Sequence, residues 1–191
     1  MKTWLTSDLH LGHANIIQYC GRPFRDVREM NERLISNWNA RVKPEDLVYH
    51  LGDFCFHRGV EGQKVSAAEW ESRLNGKIVH ILGNHDLRNG LRGLTRGVIK
   101  FAGVQIFLVH RPPTLVGDIP NECDMVACGH IHEKWKYILL DTAGFLLLEG
   151  KENVPAINCG VDVWSFRPVL ADELVALYSK IMNGKTIDHE Q

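Results

Sequence analysis

Short apolar runs, rich in β-branched residues and closed by turn formers, recur along the chain at residues 3–7, 47–51, 78–82, 104–109 and 125–128. Runs of this length bounded by Gly, Asp or Asn predict strands. Residues 137–140, 145–148 and 156–161 predict three more. Between them the period lengthens. Met30, Leu34, Ile35 and Trp38 share one face of a helix covering about residues 27–41. Ala67, Trp70, Glu71 and Leu74 mark another, and residues 170–182 a closing helix. Strands alternating with helices, then strands together, predict a layered α/β fold: parallel β-α-β units early, hairpins late, packed as a sheet sandwich. With no repeat, low-complexity tract or linker, residues 1–191 are read as a single domain.

Composition narrows this only a little. Hydrophobic residues make up 45% and charged residues 24%, the balance of a globular domain with a buried core. The net charge of -1 supplies no global basic field for nucleic acid or anionic membrane. The N-terminal stretch Met1-Lys-Thr-Trp-Leu-Thr-Ser-Asp-Leu-His10 turns polar too early for a secretory leader, and no apolar run is long enough to span a bilayer. Cys20, Cys55, Cys123, Cys128 and Cys159 form no C-x-x-C pair, against both a disulfide framework and a zinc knuckle. A reduced cytoplasmic protein without membrane attachment is expected, and no protein partner is implied. The ten histidines change the picture.

They gather where strands end. The first five runs are followed by Asp8-Leu-His10, Gly52-Asp53, Gly83-Asn84-His85-Asp86, His110 and Gly129-His130-Ile131-His132. Ligands of open α/β sheets sit outside the carboxyl ends of the strands, so five strands would deliver Asp, Asn and His to one spot. Each piece alone has a bland reading, since an Asp after Gly is commonly a turn or helix cap. Five in order, each at a strand end, have no comparable structural explanation.

This series resembles the signature of the calcineurin-like metallophosphoesterases, whose motif members are all present between residues 8 and 132. The stretch Asn158-Cys-Gly-Val-Asp162-Val-Trp164-Ser-Phe166-Arg-Pro168 looks like the closing strand of small members. The resemblance implies a double β-sandwich flanked by helices, in four α-β-β-α layers. It implies hydrolysis of phosphomonoesters or phosphodiesters by a hydroxide activated between two divalent ions. Asp8, His10 and His132 would hold the first ion, Asn84, His110 and His130 the second, and Asp53 would bridge them. Two dications against two carboxylates leave positive charge to attract a phosphate. Imidazole and oxygen ligands suit Mn first, with Fe, Zn, Co or Ni as alternatives, better than Ca or Mg.

His85, beside a ligand, is expected to stabilise the transition state or protonate the leaving oxygen, as the family's equivalent histidine does. Asp86 would either hydrogen-bond that imidazole or cap the following segment. His13 either touches substrate or starts a helix. His50 and His80 fall inside strands and are expected in the core or behind the ligands, and His57 and His189 in solvent. Arg22 and Arg111 are expected phosphate contacts, because arginine binds phosphate through paired hydrogen bonds. Arg88, Arg92, Arg96 and Lys100 recur every four residues, and on a helix would form a positive stripe. An ordinary solvated face is the favoured reading of that stripe, and a nucleic-acid contact line the alternative. The expected substrate is a small phosphate ester, a nucleotide or a nucleic-acid end. A non-catalytic scaffold of the same fold would be expected to have lost His85 or a ligand, and this chain keeps them.

Overall fold

The computed structural model describes residues 1–56, 64–114, 116–140 and 153–184. The strand expected at 145–148, His57, His189 and the side chain of Arg88 lie outside the described residues. In chain order the elements are β1 (Thr3–Thr6), α1 (Ile16–Tyr19), α2 (Val27–Asn39), β2 (Leu47–His50), α3 (Ala67–Glu71), β3 (Lys77–His80), β4 (Arg96–Phe101) and β5 (Val104–Val109). They continue with β6 (Met125–Cys128), β7 (Tyr137–Leu140), β8 (Val154–Asn158), β9 (Val169–Leu170) and α4 (Ala171–Met182).

The strands form two mixed sheets. The first runs β3-β2-β1-β9, with β1, β2 and β3 parallel and β9 antiparallel to β1. The second runs β4-β5-β6-β8-β7, with β5, β6 and β8 parallel and an antiparallel strand at each edge. Alternating side chains explain why the sheets stack. Leu5, Ile106, Leu108, Met125, Ala127 and Ile157 point into one core between the sheets. Their neighbours point away. Trp4, Val48 and Ile78 turn outward under Met30, Leu34 and Trp38 of α2, while Phe107, Val126 and Ala156 turn outward under Ile119 and Cys123. Two sheets flanked by helices are thus observed as expected. α4 places Ala171 and Leu174 in the core between the sheets.

Local chemistry starts and stops these elements. Asp26 caps α2 by accepting from Glu29 N at 2.9 Å, and Ser66 with Glu69 forms a capping box on α3. The basic stripe is not helical. Arg96 and Lys100 lie on β4, exposed on one face, while Arg88 ends a 3₁₀ turn, Asp86–Arg88. Val98, Ile99 and Phe101 favour strand, and the two-residue loop Ala102-Gly103, with φ of 48° and 86°, closes a tight hairpin to β5. Residues 159–161, expected to continue β8, leave the strand, and Gly160 bridges to Ser7 instead.

Candidate metal centre

The parallel strands of the two sheets deliver their following loops to one place, where backbone hydrogen bonds stitch them together. Asp8 N donates to Gly52 O and His10 N to Asp53 O, both at 3.0 Å, and Gly129 N donates to His110 O at 2.9 Å. Asp8, His10, Asp53, His130 and His132 all adopt positive φ, between 50° and 72°. Left-handed backbone at a non-glycine residue costs roughly 1–3 kcal/mol and persists only where surroundings enforce it. Five such residues among the expected ligands mark an imposed geometry. The motif glycines allow it: a Cβ on Gly129 would stand 2.5 Å from Asp8 Oδ2, and one on Gly83 would strike Asp53.

Two clusters of donors result. The ligand atoms of Asp8, His10 and His132 lie within 4.8 Å of one another, as do those of Asp53, His110 and His130. Asp53 Oδ2 stands between the clusters, 3.5 Å from His10 Nε2 and 3.3 Å from His110 Nε2. His10 Nε2 and His132 Nε2 are each 4.0 Å from Asp8 Oδ1. These separations are long for hydrogen bonds. They fit two donors sharing a cation about 2.0–2.2 Å from each.

The tautomers agree with this reading. His110 Nδ1 lies 2.8 Å from Leu51 O, which can only accept, so Nδ1 carries the proton. Its Nε2 then faces two oxygens, Asp53 Oδ2 and, at 3.2 Å, Asn84 Oδ1. His132 Nδ1 lies 3.0 Å from Asp162 Oδ2, freeing Nε2 for the cluster, the usual arrangement of a metal-binding histidine. His10 Nε2 is buried and has no hydrogen-bond partner. A ring nitrogen facing two carboxylates with nothing to bond is what a cation between them would satisfy.

The electrostatics divide the histidines. Burial drives His10 well below its ordinary pKa and lowers His130 and His13 to about 4 each, keeping these rings neutral donors. Burial pushes the Asp8 carboxyl up, despite the fields of His110 and His132. His132 and His110 differ. Burial opposes their charge, but hydrogen bonds to Asp162 and Cys20 lift His132 to about 10, and the close Asp53 and Asp8 carboxylates raise His110. The two carboxylates draw positive charge into this cavity.

The centre opens into a pocket of about 390 Å³ whose wall includes His10, His13, Asp53, Asn84, His85, His130 and His132. His85 is exposed at the rim, its ring 5.2 Å from that of His10, and its backbone N–H donates to Asp53 Oδ1 at 2.9 Å. His13 lines the pocket, stacked on Phe56 with ring centres 4.4 Å apart. Arg111 is exposed and outside the pocket wall, though its charge reaches His130.

Two expected roles are corrected. Arg22 is buried, and all five of its N–H groups are occupied: by both oxygens of Asp162, by Asp8 O and Leu9 O, and by Met30 Sδ. It has no donor left for a phosphate and instead clamps the metal loops. Asp86 neither meets the His85 imidazole nor caps the 3₁₀ turn that it begins. Its buried carboxylate accepts from Asp53 N, Phe54 N and Gly83 N at 2.7, 3.0 and 2.8 Å, holding the loop that presents Asp53. His50 and His80 lie in the core beside Phe54, His80 bonding Glu71 at 3.0 Å.

Sequence reading assigned no role to Asp162, which orients His132, nor to Asn158, which donates to His132 O at 2.7 Å. The available signal was chemical: a histidine ligand needs an acceptor for its other N–H, and Asp162 is an acid within the closing stretch Asn158–Pro168.

Comparison with known proteins gives the family. The sequence pattern of the calcineurin-like phosphoesterases matches residues 1–103. The uncharacterized protein MJ1445 of Methanocaldococcus jannaschii is 37% identical over 98% of this chain and 97% of its own. The gene 66 protein of Mycobacterium phage L5 is 28% identical over 94% of this chain and 95% of its own. Among solved structures, the protein of unknown function AQ665 from Aquifex aeolicus shares the fold, with a TM-score of 0.63 and 24% identity over 92% of this chain and 98% of its own. With its fold, its clustered Asp and His donors and these matches together, the chain belongs to the calcineurin-like phosphoesterase family, whose activity is the hydrolysis of phosphoesters.

Proposed function

We propose that the protein hydrolyses phosphomonoesters or phosphodiesters with the help of two divalent cations held side by side. The observation that carries this is Asp53 Oδ2, set between His10 Nε2 at 3.5 Å and His110 Nε2 at 3.3 Å, with a donor cluster on either side. Asp8, His10 and His132 would hold one cation, Asn84, His110 and His130 the other, and Asp53 both. Cations so placed supply Lewis acidity, which makes water nucleophilic at neutral pH and neutralises phosphate oxygens. The mixed donors favour manganese, with iron, zinc, cobalt or nickel as substitutes.

The chain's own groups do the rest. Asp162 and Leu51 O hold the Nδ1 protons of His132 and His110, so each ring offers Nε2 to the centre. Asp53 divides its carboxylate: Oδ1 accepts from His85 N and Oδ2 faces the clusters. Through that bond His85 is placed at the rim over the phosphate site. Water supplies the oxygen that bonds phosphorus, the P–O bond to the leaving group breaks, and His85 delivers a proton to the departing oxygen. His13 lines the pocket where substrate oxygens would pass, Arg111 stands outside its wall with its charge reaching His130, and the open pocket suits a small ester, a nucleotide or a nucleic-acid end.

Bis-p-nitrophenyl phosphate tests the proposal. Purified protein is expected to cleave it, to lose activity to a strong chelator, and to recover it with manganese or cobalt. Full activity in protein shown by elemental analysis to hold no metal would refute the two-cation reading.

A further inference from the structure

The pocket has two unlike walls. One carries Asp53, Asn84, His85, His130 and His132, the groups that would meet the cations and the phosphate. Besides Ile131, Glu133 and Lys134, which also line the pocket, the other is the face of α1 and its C-cap: Ile16, Tyr19 and Cys20, at i, i+3 and i+4. None of these three carries a formal charge. A phosphate anion finds no cation among them, so this face suits the uncharged end of the ester.

Tyr19 is the telling residue. It is 69% exposed, and it is the one aromatic among the exposed large hydrophobic side chains of the described residues. Most large aromatics are buried to a much greater degree. Among the described residues its ring meets one other, that of His13, at 6.3 Å and 79°. A tilted contact at that distance leaves ring surface open. The backbone beneath is fixed. Tyr19 N donates to Asn15 O at 3.0 Å, Ile16 is anchored in the core, and Arg22 N donates back to Ile17 O at 2.9 Å. Three residues on, the Arg22 side chain grips Asp162, Asp8 O and Leu9 O, which ties the end of α1 to the loops of the metal centre. The ring is therefore held at a set span from the phosphate site, on a side chain with only two rotatable angles to order.

We infer that Tyr19 is a stacking platform for a flat aromatic group on the substrate, of the nucleobase kind, while the phosphate sits at the metal centre. This deepens the function proposed above and rests on it. Every base presents a π-face, so the platform gives affinity for nucleotide esters over alkyl esters without choosing among bases.

Phosphonates, whose P–C bond resists hydrolysis, separate binding from turnover. Calorimetry on manganese-loaded protein would compare the 5′-phosphonate of thymidine with methylphosphonate in wild type, Tyr19→Phe and Tyr19→Ala. Wild type and Tyr19→Phe are expected to bind the nucleoside phosphonate roughly five-fold or more tightly than methylphosphonate. In Tyr19→Ala that ratio is expected to fall to about one. A preference that persists in Tyr19→Ala, or is absent from wild type while methylphosphonate still binds, overturns the platform. If manganese-loaded wild type binds neither compound, the hydrolase proposal itself fails and the platform falls with it.

Discussion

Asp86 accepts three buried backbone N–H groups and touches no expected ligand side chain, yet it fixes the residue proposed to bridge the two clusters. Its removal strands those donors, and each orphaned buried donor costs about 1–3 kcal/mol. Asp86→Ala is therefore expected to lower unfolding free energy by at least about 2 kcal/mol in urea titration of metal-free protein. It is also expected to weaken manganese binding, though no ligand is lost. Unchanged stability and affinity would mean that the Asp53 loop is held by something else. In the proposed function His85 acts on the leaving group, so its contribution would depend on what leaves. Proton donation is worth about 10²–10⁴-fold and matters most for a basic alkoxide. His85→Ala is expected to lose far more kcat/KM on a nucleotide ester than on a nitrophenyl ester, with metal content intact. Equal losses on both would leave His85 a positioning group.

At the scale of elements, the first sheet depends on a carboxylate remote from the site. Asp46, just before β2, accepts from Lys2 N, Trp4 Nε1 and Lys43 N, tying the start of β1 to the turn after α2. The bond from Lys2 N, then that from Trp4, brings its pKa down to about 2. A depressed folded pKa means stability that is present above the ordinary carboxyl value and lost as pH falls toward the folded one. The melting temperatures of wild type and Asp46→Asn should therefore stay apart from neutral pH down to about pH 5, then converge between about pH 4 and 2. A gap that is constant throughout would assign the loss to packing and not to charge.

Across the whole molecule, what could be read in the sequence and what could not divide along physical lines. Strand ends were legible because metal chemistry demands particular side chains and parallel strands open in one direction, so Asp8, Asp53, His110 and His130 announce themselves by type and place. Period-2 and period-3.6 patterns likewise marked β1, β2, β5, β6 and α2. β4 was not among the expected strands, because its basic residues at four-residue spacing drew attention from period 2, although Val98, Ile99 and the Ala102-Gly103 turn speak for a hairpin. Arg22 and Asp86 were misassigned because a charged group's role is set by the partners that folding brings to it. Asp162, 140 residues from Arg22 and 30 from His132, makes this plain. β9, two residues long, is too short to leave a period.

The central claim is that one carboxylate oxygen of Asp53 joins two cation sites, and anomalous diffraction at the manganese edge from crystals grown with manganese tests it most directly. Two peaks about 3.5–4 Å apart are expected, with Asp53 Oδ2 between them, one peak against Asp8, His10 and His132 and the other against Asn84, His110 and His130. A single peak at full manganese saturation, or two peaks of which one lies away from Asp53, would contradict the account.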